Sequence, residues 1–211
     1  MDDFKQLLLA ITPPDRKAEA ASKRRWDSLA KPLGSLGLLE EAVVKIAALT
    51  GTVQVSLHKR SLVVFCADNG VVAQGVTQTD SSVTAAVACS LARGSSTVCP
   101  MARVARCEVL PVDIGILDFP GCSGVLDRRV QNSTRDITLG PAMSRETCVR
   151  AILTGAELAL EQKKTGVNIL AGGEMGIGNT TTSSAVAAVL LGLEPEQVTG
   201  RGAGLSTQGL H

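Results

Sequence analysis

Three runs of apolar residues, each followed by a polar segment that contains glycine, organise most of the chain. They cover residues 61–66, 109–114 and 167–171. Continuous apolar runs of this length are typical of strands that are buried on both faces. Ala-rich stretches long enough for helices separate them. This alternation predicts parallel βαβ units in an α/β fold with a doubly wound, Rossmann-like parallel sheet.

Apolar positions three and four residues apart predict helices in the remaining segments. Near the N-terminus we expect helices over residues 15–30 and 36–49, separated by a Pro- and Gly-containing break. They would form a small helical element, residues 1–52, beside an α/β substrate-binding domain, residues 53–211. Later helices are expected over residues 80–92, 97–106 and 144–164, with a long irregular segment over 115–143.

The composition excludes several classes of protein. A net charge of +1 without a long basic run argues against nucleic acid as a partner, and no apolar stretch approaches the roughly 18 residues of a membrane span. The six cysteines form no C-x-x-C pair, which predicts reduced thiols in a cytoplasmic protein. The only histidines are His58 and His211, so a zinc site is not expected, and the sequence predicts neither a metal nor a cofactor.

The segment after the third strand carries the most specific pattern. Its glycines at 172, 173, 176 and 178 would allow backbone N–H groups to approach a ligand, and a helix from Asn179 would direct its positive end to the same place. No basic side chain stands beside this predicted phosphate-binding loop, which is neither a Walker A motif nor a G-x-G-x-x-G motif. A purely structural tight turn remains an alternative.

Glu174 is the one carboxylate in this loop. It could bind a sugar hydroxyl, stabilise a developing positive charge or accept a proton; capping of a neighbouring helix is the structural alternative. Polar residues also follow the other two strands, at 68–70 and 113–115. In parallel sheets ligands bind beyond the carboxyl ends of the strands, so all three segments are candidates. Asp68 and Asp113 would bind a metal only if they converged, and a metal is not expected.

Taken together, these motifs resemble those of one known family. The segments are KPLGSLG at 31–37, ADNGVVAQGV at 67–76, GPAMSRE at 140–146, GGEMGIGNTTT at 172–182 and GRGAGL at 200–205. In this order they are similar to the nicotinate-nucleotide–dimethylbenzimidazole phosphoribosyltransferase family. The resemblance implies transfer of the 5-phosphoribosyl group from nicotinate mononucleotide to a benzimidazole-type base, without a cofactor, by a homodimer.

The resemblance also implies roles for individual residues. Glu174 would stabilise the reacting centre, whereas the family's general base would lie beyond His211. The implied base pocket consists of Asp68, Asn69, Gly70, Thr77 and Ser81. The implied substrate-binding residues are Gly173, Glu174, Met175, Gly176, Ile177, Gly178, Asn179, Thr180, Thr181 and Gly202.

Two departures from the family pattern affect these expectations. Residues 77–81 read TQTDS and Asn69 stands where a histidine is usual, so the identity of the acceptor base stays open. Family members are also longer than this chain, so the sheet and the small domain are expected to be incomplete. A non-catalytic nucleotide-binding or dimerising remnant of the family is therefore the main alternative to an active transferase.

Overall fold

The computed structural model describes residues 2–210, and the chain divides into two compact units between His58 and Lys59. Expectations for Met1 and His211 lie outside the described residues. The first unit is helical. Its helices, in the described part of the chain, are α1 (Asp2–Leu9), α2 (Arg16–Asp27) and α3 (Leu38–Thr50).

The ends of α2 and α3 follow from their sequences. The Asp15 side chain caps α2 by accepting hydrogen bonds from the amides of Lys17 and Ala18, at 2.7 and 3.1 Å. Gly51 ends α3 in the left-handed conformation with φ of 67°, as its position in the pattern predicts. The helix α1 lies within the segment that is expected to be helical, although the pattern gave it no separate bounds.

The loop between α2 and α3 is held by a partly buried ion pair. The Nζ atom of Lys31 lies 2.7 Å from Oε1 of Glu40 and 5.5 Å from the centre of the Trp26 ring. Oε1 of Glu40 also accepts a hydrogen bond from the Leu36 amide at 3.0 Å. The hydrogen bond from Lys31 is the main reason why the pKa of Glu40 lies below its ordinary value. The KPLGSLG segment is thus an ordered turn.

A parallel sheet forms the centre of the second unit and confirms the α/β class. Its four strands, in the described residues, run in the order β3-β2-β1-β4. The strands are β1 (Arg60–Ala67), β2 (Cys107–Gly115), β3 (Leu126–Asp127) and β4 (Ile169–Met175). The helices of this unit are a 3-10 turn (Gly70–Gln74), α4 (Ser82–Ala92), α5 (Val98–Val104), α6 (Arg145–Lys164), α7 (Asn179–Leu191), α8 (Pro195–Val198) and α9 (Thr207–Leu210).

Helices cover both faces of this sheet, as expected for a doubly wound fold. Successive β1 side chains alternate between the faces. Val64 and Cys66 pack against α4 and α5, whereas Val63 packs with Val112 of β2 and Leu158 of α6 on the opposite face. Burial raises the pKa of the Cys66 thiol to about 12, so this thiol is a core residue rather than a nucleophile.

The third apolar run differs from its prediction. The strand was expected over residues 167–171 but runs to Met175, so that Gly172, Gly173 and Glu174 pair with β1 instead of forming a loop. A Cβ at position 173 would lie 3.3 Å from Cγ2 of Val64, so glycine suits this position in the strand. The two-residue strand β3 lies within the segment that was expected to be irregular.

The strand β4 lies at the edge of the described sheet, and the helix that follows it has an apolar outer face. In α7, Val189 and Leu190 are 83% and 78% exposed. None of the described helices is long and apolar enough to cross a membrane.

Candidate functional site

The strand order places a switch in connection direction between β1 and β4. The chain leaves β1 towards β2, and α6 then carries it across to β4 on the other side of β1. Clefts at the carboxyl ends of strands at such switch points are the usual ligand sites of α/β sheets. A cavity of about 210 Å³ lies beyond these strands, where α7 begins. It is lined by residues 76–79, 177–181, 184, 199–205, 209 and 210.

The N-terminus of α7 forms one wall of this cavity. Its N-cap residue is Gly178, with φ of 84°, which has no side chain to accept hydrogen bonds from the first turn. The amides of Asn179 and Thr181 donate only long bonds within the turn, each 3.2 Å. Because the helix dipole gives this end a partial positive charge, the wall attracts an anion. The hydroxyls of Thr180 and Thr181 line the same wall.

Arg201 also lines the cavity. Its Nη2 atom donates a hydrogen bond to Oγ1 of Thr207 at 2.7 Å. The expectation that no basic side chain stands beside the site is therefore wrong. The sequence did not predict this arginine as a site residue because it lies more than twenty positions after the glycine-rich loop and is brought to the cavity only by folding. A guanidinium and a helix N-terminus that line one cavity are suited to binding a phosphate.

The segment that carries Arg201 is held against two other parts of the cavity. Gly202 has φ of 53°, which favours glycine, and a Cβ there would lie 2.7 Å from Oγ1 of Thr180, so the two segments approach each other closely at this point. Nε2 of Gln78 donates a hydrogen bond to the Gly204 carbonyl. Gln78 is one of the residues that depart from the family pattern, and here it joins the loop after β1 to the last segment of the cavity.

Glu174 lies beside the cavity and does not line it. Its Oε2 atom accepts a hydrogen bond from Nδ2 of Asn179, which does line it. Although the side chain reaches solvent, the atoms packed around the carboxylate partly desolvate it and raise its pKa above the ordinary value of a glutamate. The hydrogen bond from Asn179 opposes this increase. The Glu174 carboxylate therefore contacts the cavity wall at the N-terminus of α7 only through the side chain of Asn179.

The turn between β4 and α7 requires glycine at positions 176 and 178. A Cβ at Gly176 would lie 2.0 Å from the Ala67 carbonyl oxygen, and one at Gly178 would lie 2.9 Å from Cγ2 of Val72. Packing alone therefore explains these two glycines, so the structural explanation accounts for part of the motif. It does not account for the uncapped helix end or for the cavity in front of it.

Some of the predicted site residues line this cavity and others do not. Asp68 is 1% exposed, and its carboxylate accepts hydrogen bonds from Thr84 and the Leu117 amide in the protein interior. The predicted residues that line the cavity are Thr77, Ile177, Gly178, Asn179, Thr180, Thr181 and Gly202, and those that do not are Asp68, Asn69, Gly70, Ser81, Gly173, Glu174, Met175 and Gly176.

The sequence did not single out the other lining residues as site residues. Six of them lie within the quoted motifs at 67–76 and 200–205, and two, Gln78 and Thr79, belong to the stretch that departs from the family pattern. The missed lining residues are Val76, Gln78, Thr79, Ser184, Thr199, Gly200, Arg201, Ala203, Gly204, Leu205, Gly209 and Leu210.

The two aspartates considered as metal ligands are engaged in other contacts. Asp113 pairs with Arg129, at 2.7 Å from Oδ2 to Nη2, and its Oδ1 accepts hydrogen bonds from the amides of Gly115 and Ile116. Among the described residues, no group of three or more His, Cys, Asp or Glu side chains is arranged to hold a metal ion.

Comparison with known proteins places this geometry in a family. A family model described as "Phosphoribosyltransferase" matches residues 11–211. Similar proteins include the nicotinate-nucleotide–dimethylbenzimidazole phosphoribosyltransferase of Ruminiclostridium cellulolyticum, which is 42% identical to this chain over 207 residues. The chain belongs to the nicotinate-nucleotide–dimethylbenzimidazole phosphoribosyltransferase family.

Other members of this family agree with the fold and differ in length. The relative from Alkaliphilus metalliredigens is 38% identical over 211 residues. The crystal structure of CobT from Thermus thermophilus superposes with a TM-score of 0.85 at 41% identity and covers 92% of this chain. The chain spans about three fifths of these proteins: 59% of the Ruminiclostridium relative, 60% of the Alkaliphilus relative and 59% of the Thermus chain.

Proposed function

We propose that this chain binds nicotinate mononucleotide in the cavity at the N-terminus of α7 and takes part in the transfer of its 5-phosphoribosyl group to 5,6-dimethylbenzimidazole. The products would be α-ribazole 5′-phosphate and nicotinate. The observation that carries the proposal is the combination, in one 210 Å³ cavity, of an uncapped helix N-terminus with Arg201. Family membership supplies the substrates.

The phosphate is assigned to the α7 end of the cavity. The partial positive charge of the helix, the Thr180 and Thr181 hydroxyls and the Arg201 guanidinium together suit a phosphomonoester. Gly202 has no side chain at the point where its segment approaches Thr180, so the phosphate can approach both segments closely.

The ribose and its reacting carbon are assigned to the side where Glu174 lies. In the reaction, the bond between the anomeric carbon and the pyridinium nitrogen breaks and nicotinate leaves with that bonding pair. A bond to a benzimidazole nitrogen forms, and the N–H proton of the base passes to solvent water or to the general base that the family resemblance implies. Positive charge develops on the sugar as the first bond breaks, and an ionised carboxylate nearby stabilises that charge. Asn179, which lines the cavity, holds the Glu174 carboxylate by a hydrogen bond.

The acceptor base is assigned to the loop after β1. Thr77 lines the cavity, and its hydroxyl donates a hydrogen bond to the Thr79 carbonyl at 2.6 Å. The same stretch of chain contains Asn69, Gly70 and Ser81. It begins at the buried Asp68, whose carboxylate accepts a hydrogen bond from Thr84.

We further propose that the chain functions as a homodimer. Large apolar residues are exposed in the first unit, including Leu33 at 75% and Leu38 at 81%, and exposed apolar patches mark contact surfaces. Sedimentation equilibrium of the 211-residue chain tests this assignment. A dimer that the double substitution L33K/L38K converts to a monomer supports it, and a monomer at all concentrations contradicts it.

The second candidate is a nucleotide-binding protein without transferase activity. One observation favours it: in the described part of the molecule, β4 lies at the edge of the sheet and the outer face of α7 is exposed. In this case the cavity would bind nicotinate mononucleotide, but no phosphoribosyl transfer would follow.

One experiment separates these candidates. The purified 211-residue chain is incubated with nicotinate mononucleotide and 5,6-dimethylbenzimidazole, products are separated by liquid chromatography, and binding of the nucleotide is measured by calorimetry. Formation of α-ribazole 5′-phosphate supports the transferase, and binding without product supports the binding protein. Absence of both product and binding contradicts both candidates.

A further inference from the structure

Thr84 is a completely buried polar residue that no motif singled out, and it lies behind the cavity. It is 0% exposed in α4. Its hydroxyl donates a hydrogen bond to Oδ1 of Asp68 at 2.6 Å and accepts one from the Ile177 amide at 3.1 Å. Because a hydroxyl has one proton to donate, the bond to Asp68 leaves the oxygen lone pairs directed at the Ile177 N–H. The hydrogen bonds therefore run in one direction, from the Ile177 amide to Thr84 and from Thr84 to Asp68.

Asp68 is itself held by the rest of the second unit. Its Oδ2 atom accepts a hydrogen bond from the Leu117 amide at 2.9 Å. Its backbone N–H donates to the Gly115 carbonyl at 3.0 Å, and its carbonyl accepts from the Thr134 amide at 3.1 Å. The Asp68 carboxylate is therefore hydrogen-bonded to the loop that follows β2. Through Thr84 it is also connected to the turn before α7.

Asn69 holds the next peptide group, between Ile177 and Gly178. Nδ2 of Asn69 donates a hydrogen bond to the Ile177 carbonyl at 3.0 Å, and its Oδ1 accepts one from Oγ1 of Thr182 at 3.1 Å. Ile177 lies between Gly176 and Gly178, the two glycines of the turn that precedes the helix. A turn built on glycines has little conformational preference of its own, so side chains must select its conformation.

We infer that Asp68 and Thr84 are positioning residues, which orient the backbone at Ile177 and thereby set the N-terminus of α7 in the geometry that accepts the phosphate. Asn69 completes the arrangement at the next peptide group. None of the three lines the cavity, so they act through the turn. The consequence for phosphate binding rests on the proposed function, whereas the consequence for the turn does not.

The substitution Thr84→Val tests this inference, because valine keeps the shape of threonine and removes the hydroxyl. It removes one of the hydrogen bonds to the Asp68 carboxylate, which keeps its bond from the Leu117 amide, and it removes the acceptor of the Ile177 amide. Thr84→Ser is the matched control, since it keeps the hydroxyl and loses only a methyl group. Asn69→Ala is a second variant at a half-buried position, where the overall fold is less dependent on the side chain.

Hydrogen exchange of the Ile177 amide is measured by NMR in the 211-residue chain, together with global unfolding in urea. We expect T84V and N69A to speed exchange at Ile177 about tenfold or more relative to core β1 amides, and T84S to change it less than about threefold. Equal exchange in T84V and T84S overturns the inference. An increase in T84V that is the same at Ile177 and at β1 amides also overturns it, because that result indicates only global destabilisation.

Calorimetry with nicotinate mononucleotide supplies the functional measurement. T84V should raise the dissociation constant about tenfold, and T84S should restore it. If the unsubstituted chain does not bind the nucleotide, the proposed function is wrong, while the exchange experiment still decides whether Thr84 positions the turn. Unchanged affinity in T84V, with a binding-competent parent chain, overturns the link to phosphate binding.

Discussion

Glu174 carries a carboxylate whose pKa is raised by partial desolvation and whose Oε2 is held by Asn179. Glutamine keeps the size and the hydrogen-bonding capacity of this side chain but cannot carry a negative charge. We expect Glu174→Gln to weaken nicotinate mononucleotide binding or its turnover about tenfold, because a charged hydrogen-bonding partner of the ribose or the reacting centre is lost. Unchanged binding and turnover would remove Glu174 from the site.

The same substitution should not destabilise the protein. Since the folded protein raises the pKa of Glu174, ionisation is less favourable in the folded than in the unfolded chain. The contribution of this group to stability is therefore present at low pH and is lost as the pH rises through the pKa of the folded state. In urea unfolding, E174Q should match or exceed the parent chain at about pH 7 and approach it at about pH 4. A loss of stability at neutral pH would contradict this electrostatic explanation.

Arg201 is the residue that the sequence motif did not predict and the fold brings to the cavity. We expect Arg201→Ala to weaken binding of nicotinate mononucleotide about tenfold, because a charge-assisted hydrogen bond to the phosphate is removed. Arg24→Ala, which removes the same charge from an exposed position of α2, is the control for net charge. Equal affinity of the two variants would show that Arg201 does not contact the phosphate.

At the scale of elements, the turn between β4 and α7 depends on a close approach of two strands. A Cβ at Gly176 would lie 2.0 Å from the Ala67 carbonyl oxygen, whereas one at Gly172 would have no atom within 4 Å. Gly176→Ala should therefore lower the free energy of unfolding by about 2 kcal/mol or more, and Gly172→Ala should change it by less than about 0.5 kcal/mol. Similar losses in both variants, measured by urea unfolding, would contradict the packing explanation of this motif.

Most elements of the second unit could be predicted from pattern because their signals are local. The apolar runs before Asp68 and Gly115 are buried strands, and Ser144 caps α6 by accepting a hydrogen bond from the Thr147 amide at 3.1 Å. The limits of β4 could not be predicted, because two glycines in succession carry no strand signal and it is pairing with β1 that makes them strand residues. The two-residue strand β3 exists only through its pairing with β2.

At the scale of the whole molecule, the cavity joins three segments that are far apart in the sequence. The residues after β1, the start of α7 and residues 199–205 meet only when the strand order brings β1 and β4 side by side. Motifs predicted the first two segments and Gly202 of the third. They could not predict Arg201 or the buried support from Thr84, since both depend on packing between elements.

Nucleotide binding tests the assignment of the cavity more directly than turnover does. The described residues contain an anion-attracting helix end, an arginine and a neighbouring carboxylate, while the chain spans about three fifths of its relatives. The features assigned to the phosphate can be tested in this chain whatever else turnover requires.

Calorimetric titration with nicotinate mononucleotide and, separately, with nicotinate riboside tests the central claim most directly, because the two ligands differ only in the phosphate. If the N-terminus of α7 and Arg201 bind the phosphate, the nucleotide should bind about a hundredfold more tightly than the riboside, and R201A should reduce that difference. Equal affinity for the two ligands, or no binding of the nucleotide, would contradict the assignment of the cavity.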